Sequence, residues 1–366
     1  MDIFGKKYTR EQIENYVGRF RQVAGSRKYR LSEGKAEGVR GVDVNAGNGF
    51  HYTVLPDRCM DISLCSYKGI NLVYQGETGE VHPSYYTGIG NDWMKGFFAG
   101  LVTTCGLQNL GAPCTDEGES YGLHGDIAYV PAENFNDLSR WENDDYILEF
   151  EGVMQESVFF GSKLILRRNI KSVAGERKLV ITDRVENAGM KETPFLILYH
   201  INAGFPLLDE NARLVLSSKS VWGYDEQSVK NMDKHRIFDP PQEFFPEENF
   251  LHTMAADEDG RCYAGVLNPS LGQGLGLYIS ANVDALPFIS QWKSAANKEY
   301  VLAIEPVNTK VANRVQLKKE GILPYLKPGE TKEMRVEIGI LDGADQLSAF
   351  EQKSIVYWSE YNGRNS

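Results

Sequence analysis

From about residue 38 onward the apolar residues of this chain recur with a period of two, and that period constrains the fold more than any other feature. FHYTVLP, CMDISLCSY and INLVYQ are short β-rich runs, the last two separated by a Lys68-Gly69 turn. YILEFEGVM, SVFFGSKLILRRNIKSV, KLVITDRVEN, TPFLILYHINAG and RLVLSSKSVWG continue the habit, and CYAGVLN, GLGLYIS, YVLAIEP and EMRVEIGIL complete it. Gly, Asn and Asp punctuate these runs at roughly 10-residue intervals. Helical periodicity is almost absent, so the expected fold class is all-β, a large antiparallel β-sandwich or barrel. One helix is expected, at the N-terminus, where Thr9 and Gln12 form a capping-box pattern ahead of EQIENYVGRF.

The chain has 366 residues, a length that by itself suggests two or three domains. No Ser/Gly-rich or Pro-rich linker divides it. The longest irregular stretch, about 225–250, reads as a loop over a site or an interface. The expected organisation is therefore an N-terminal helical extension over 1–37 and a single β-sandwich domain over 38–366. With 39 Lys+Arg against 50 Asp+Glu the net charge is −11, which disfavours nucleic acid and anionic membrane as partners. No segment approaches the roughly 18 apolar residues of a membrane span. The polar start MDIFGKKYTREQ lacks a signal core. Five scattered cysteines, without CxxC or zinc-like spacing, fit a reducing, cytoplasmic setting. Cys105, in TTCGL, reads as a small buried thiol.

Three polar residues stand where polar residues are costly. His200 ends the apolar run LILYHIN, sharing a face with Leu196, Leu198 and Asn202 while Ile197, Tyr199 and Ile201 take the other. Glu305 lies in YVLAIEPVN, held extended by Pro306. His124 in YGLHGDIAYVPA is flanked by Gly122 and Gly125. Taken singly, each has an ordinary structural explanation: a satisfied core imidazole, a salt-bridged carboxylate, a turn histidine.

Together they accompany a set of ordered blocks: DRCMDISLCSYKGINLVY (57–74), FFAGLVTTCGLQNLGAP (97–113), YGLHGDIAYVPA (121–132), LYHINAGFPLLD (198–209) and WKSAANKEYVLAIEPVN (292–308), with LPYLKPGET (323–331) before the last strand. In these blocks the chain resembles the aldose 1-epimerase, or galactose mutarotase-like, superfamily, in its DUF4432 branch. The resemblance implies the galactose mutarotase-like supersandwich, a sugar or sugar derivative as ligand, and no metal or other cofactor. It implies His200 as the acid that protonates the ring oxygen, Glu305 as the base that takes the anomeric proton, and His124 as a substrate-binding residue. The arginine that mutarotases carry about 25 residues before that histidine is missing here, and Arg58 is the candidate to replace it. An anionic sugar is then one option. Asp209 and Asp239 are the candidates for the family's binding aspartate.

Those residue types suit the chemistry. Interconverting anomers requires opening the hemiacetal, rotating about C1–C2 and reclosing. A histidine and a carboxylate on opposite sides of the ring could exchange the two protons. Trp93, Trp292 and Tyr199 are candidates to stack on the sugar, with Asn109, Gln108, Asn202 and Gln291 to bond its hydroxyls. Two other readings compete: a metal-dependent sugar isomerase built on His124, His200 and Glu305, and a carbohydrate-binding protein without turnover. A homo-oligomer is compatible with all three. The acid and base lie about a hundred residues apart yet must share one cleft, which argues for one large β-domain.

Overall fold

In the computed structural model, residues 1–364 are described, with side chains as far as residue 354. Two β-layers dominate, as the period of two predicts. One is a nine-stranded antiparallel sheet. Its order is Glu133–Asp137, Asp145–Ser157, Lys163–Val173, Lys178–Asn187, Thr331–Asp342, Leu275–Asn282, Arg261–Asn268 and Arg213–Leu216, with Arg140–Glu142 also paired to Asp145–Ser157. The facing layer contains a six-stranded sheet ordered Ser218–Gly223, Glu248–Met254, Phe288–Ala296, Glu299–Val307, Leu196–Ala203 and Thr103–Leu107. A bridge between Ile62 and Val102 joins that sheet to a five-stranded meander, Gly25–Arg30 to Ile70–Asn71.

Side-chain alternation explains how the layers meet. Along Asp145–Ser157, Leu148, Phe150 and Met154 point inward while Glu149, Glu151 and Gln155 point away. Their partners in the core include Ile197, Tyr199 and Ile201 from the six-stranded sheet and Val42, Phe50 and Ile62 from the meander. One contiguous apolar cluster draws residues from Val42 through Ile340. A second, smaller cluster lies on the outer face of the six-stranded sheet, where Leu196, Leu198 and Val307 pack under Trp93, Leu110 and Tyr129.

The N-terminal capping box forms: Thr9 accepts from the Gln12 amide and Gln12 returns the bond to the Thr9 amide. The helix it starts covers only Arg10–Glu14, and a 3-10 turn follows at Phe20–Gln22. Gly25–Arg30 is already a strand paired with Arg40–Asn45. The sheet thus begins inside the stretch expected to be a helical extension, with GSRKYR paired as the edge strand of the meander. At the other end a helix runs over Ala344–Arg364, which the sequence reading did not anticipate. Residues 365 and 366 of the expected second domain lie outside the described residues. Among the described residues no helix is long and apolar enough to cross a membrane.

Candidate active site

The site grows out of strand register. Leu198 pairs with Val307 and Ile201 with Ile304, which sets His200 opposite Glu305 on the adjacent strand. Ser290 pairs with Glu305 on the next strand, and Thr103 pairs with His200 on the other side. One row across the sheet therefore reads Ser290, Glu305, His200, Thr103. Directly opposed residues have neighbouring side chains, and His200 Nε2 lies 3.0 Å from Glu305 Oε1. Sequence reasoning placed these two groups on opposite sides of a sugar ring. Cross-strand pairing instead puts them in contact.

Asn202 fixes how the imidazole is protonated. Its Nδ2 donates to the carbonyls of Gly100 and His200, so its Oδ1 must be the atom 2.6 Å from His200 Nδ1. That oxygen only accepts, so Nδ1 carries a hydrogen and Nε2 is the nitrogen free to gain or lose a proton. Asn202 is fully buried and does not line the cavity. Its side chain orients the histidine rather than facing the cavity.

Above the pair opens a cavity of about 500 Å³, within the size range of small-molecule sites. Trp93, Phe97, Tyr224 and Trp292 wall it, and His124, Asn249 and Ser290 add polar groups. The His200 ring centroid lies 4.9 Å from Phe97 and 5.7 Å from Trp292. His124 sits at φ 57°, held in this left-handed conformation by the tight turn at Gly122–Gly125. Its Nδ1 accepts the Gly111 amide, which leaves an Nε2–H donor on the neutral ring. Burial, and to a lesser degree the neighbouring His200, push the His124 pKa down to about 4, so the ring is neutral at physiological pH. Trp93 contributes a buried indole Nε1–H that has no partner among the described residues.

A family model described as a domain of unknown function, DUF4432, matches residues 36–340. The chain belongs to the DUF4432 family. No curated protein matches this DUF4432 chain. Among solved structures, one called a "putative aldose 1-epimerase", from Klebsiella pneumoniae subsp. pneumoniae MGH 78578, is similar with a TM-score of 0.86 at 23% identity, over 94% of both chains. A galactose mutarotase-like protein from Clostridium acetobutylicum gives a TM-score of 0.58 at 14% identity, over 88% of this chain and 99% of its own. Galactose 1-epimerase from Lactobacillus acidophilus NCFM gives 0.54 at 9% identity, over 87% of this chain and 99% of its own. The fold of this DUF4432 protein is thus the galactose mutarotase-like β-sandwich.

Of the residues singled out in the sequence, His200, Glu305, His124, Trp93 and Trp292 meet at the cavity. Arg58 does not. It is fully buried and donates to the carbonyls of Ala128, Val81 and Gly96 at 2.8–3.0 Å, with its guanidinium 4.1 Å from the Tyr129 ring centroid. With those bonds spent on backbone, it supports the Asp92–Gly96 turn that carries Trp93 and takes no part in the cavity wall. Asn109 is likewise turned inward, donating to the Ala112 and Gly122 carbonyls and accepting from the Arg314 amide. Gln291 points to the opposite face from Trp292, where it bonds His252 and the His235 carbonyl. Tyr199 faces the inter-sheet core and donates to Asp183, and Gln108 bonds Ser162 and Arg314 away from the cavity. Asp209 and Asp239 also lie outside it. The metal alternative lacks an assembled donor set: among the described residues no group of three or more His, Cys, Asp and Glu is placed to hold an ion.

Sequence reasoning missed Tyr224, Glu247, Asn249 and Ser290. Tyr224, Glu247 and Asn249 stand at the two ends of the irregular 225–250 stretch, expected to be a loop over a site or an interface. Ser290 carried no signal of its own. It is found only through its register with Glu305.

Proposed function

We propose that this protein is an aldose 1-epimerase-like enzyme that interconverts sugar anomers with His200 as acid and Glu305 as base. The observation that carries the reading is the 3.0 Å His200–Glu305 pair at the floor of an aromatic-walled cavity. The mutarotase-like fold supports a sugar-epimerase-like or carbohydrate-binding role in the same direction.

The contact geometry suits a hemiacetal. Its hydroxyl and ring oxygen are bonded to one carbon, so they present an acceptor and a donor side by side. A donor and an acceptor one hydrogen bond apart match that spacing. In the productive state His200 carries protons on both nitrogens and Glu305 is ionised. Glu305 takes the proton from the C1 hydroxyl while His200 Nε2–H protonates the ring oxygen, the C1–ring oxygen bond breaks, and an aldehyde forms. Rotation about C1–C2 and the reverse transfers close the ring as either anomer, leaving both side chains as they began. Asn202 keeps Nδ1 protonated throughout, so the exchange is confined to Nε2. His124 offers an N–H donor to a sugar hydroxyl, and Trp93, Trp292 and Phe97 offer apolar faces.

Exchange NMR on α/β anomers of a panel of aldoses tests the reading. General acid–base assistance contributes roughly 10²–10⁴-fold, so His200→Ala and Glu305→Gln should each lower the catalysed rate by about that factor. Wild-type rates in both variants would remove this mechanism. Binding without acceleration of any sugar would favour a carbohydrate-binding protein instead.

A further inference from the structure

The charges around the cavity are lopsided. The cavity is lined by two carboxylates, Glu247 and Glu305, and among its described lining residues there is no lysine or arginine. Glu305 lies in contact with His200 Nε2. Glu247 is different: the hydrogen bond it makes is to the Trp292 indole Nε1–H, at 2.7 Å, which brings no charge. Basic residues on neighbouring elements are committed elsewhere. Lys293 pairs with Glu248 on the far face of the sheet, Lys310 with Glu320, and Arg314 with Asp116. His124 is neutral, as its burial requires. The chain as a whole carries a net charge of −11, in the same sense.

Resting on the anomer-interconversion reading, we propose that the cavity prefers a sugar carrying a protonated amine, an amino sugar, over neutral sugars, and excludes uronates and sugar phosphates. The ammonium group is met by the Glu247 carboxylate and by the electron-rich faces of Trp292 and Tyr224, which line the same cavity. The Trp292–Glu247 bond orients both partners, holding the indole and the carboxylate as one wall. An anionic substituent would meet Glu247 without any compensating cation, a repulsion the site has no group to relieve.

The test is a ligand-observed NMR titration of the full chain with glucose, 2-amino-2-deoxyglucose, 6-amino-6-deoxyglucose, glucuronate and glucose 6-phosphate at pH 6.5. At least one amino sugar should bind about tenfold more tightly than glucose, since an exposed ion pair and a cation–π contact each supply a few-fold. The two anionic sugars should bind more weakly than glucose. Glu247→Gln keeps an acceptor for Trp292 Nε1 but removes the charge, so the amino-sugar to glucose affinity ratio should fall by roughly twofold to fivefold. Raising salt should lower the same ratio. Equal affinity for glucose and both amino sugars, an anionic sugar binding best, or an unchanged ratio in Glu247→Gln overturns the proposal. Because the readout is binding, a preference for amino sugars without anomer exchange would support the charge selection while sinking the catalytic reading. Anomer exchange of glucose with no amino-sugar preference would do the reverse.

Discussion

Glu156 shows how strongly a single buried group can couple this fold to pH. Its carboxylate accepts the Leu107 amide at 3.2 Å, behind the first strand of the site sheet. Burial, reinforced by nearby Asp126, pushes its pKa up to about 8. The folded protein therefore holds a proton on Glu156 that the unfolded chain, with an ordinary carboxyl, has already released above about pH 4.5. The stabilising contribution is complete below that pH and declines as pH rises toward 8, by at most about 5 kcal/mol. Glu156→Gln imitates the protonated form and retains an acceptor. Denaturation across pH 5–9 should show a flatter profile and a more stable protein at pH 8. A variant that is less stable than wild type at pH 8 would contradict this account. The same economy of buried polar groups governed what could be read in the sequence. His200, Glu305 and His124 were legible because a polar side chain in an apolar run demands a partner or a role. Arg58, Asn109, Asn202 and Gln291 were candidates on other grounds, and backbone carbonyls and neighbouring side chains satisfy them. A sequence reports that a partner exists, not which one it is.

At the scale of elements, two glycines let the site strands close on one another. Gly106 adopts φ +125°, and a Cβ there would lie 2.1 Å from the Leu196 carbonyl oxygen of the paired strand. Gly125 adopts φ +71°, and a Cβ there would lie 2.2 Å from the Gly106 carbonyl oxygen. The His124 turn can thus rest directly on the Thr103–Leu107 strand, and that strand on the one carrying His200. Gly106→Ala should destabilise the protein by at least about 2 kcal/mol, through strain and the separation of paired backbone. Chemical denaturation measures this, and a loss under about 0.5 kcal/mol would contradict the close packing. Strands were read well because alternation persists over whole segments such as Asp145–Ser157. Helices were read poorly. Arg314–Lys319 spans six residues, too few to display a helical period, although its Asn313 cap was present in the sequence. Ala344–Arg364 follows the last strand, and its first turns pack on the outer side of the nine-stranded sheet through Leu347 and Phe350.

For the molecule as a whole, the decisive feature is a charge cluster in the inter-sheet core. Arg168, from the nine-stranded sheet, contacts Asp183 on the next strand at 2.6 Å and Asp61 of the five-stranded meander at 2.8 Å. It also donates to Thr104 of the six-stranded sheet, while Tyr199 of the same sheet donates to Asp183. All three sheets therefore meet on one fully buried guanidinium, directly behind the strand that presents His200 to the cavity. Arg168→Met would leave two buried carboxylates without their counter-charge, a loss of about 3–5 kcal/mol. The expected result is a large fall in the denaturation midpoint, and a near-wild-type midpoint would show that the cluster does not join the sheets energetically. This shared core ties the three sheets together at one point. The opposing strands place His200 and Glu305 in one row despite their separation in sequence. The most direct test of that placement is exchange NMR of α/β anomers with wild type, His200→Ala and Glu305→Gln, each first checked for native folding. The account predicts accelerated exchange of at least one aldose or amino sugar, lost by about 10²–10⁴-fold in either folded variant. No acceleration by wild type, or undiminished acceleration by the variants, would contradict it.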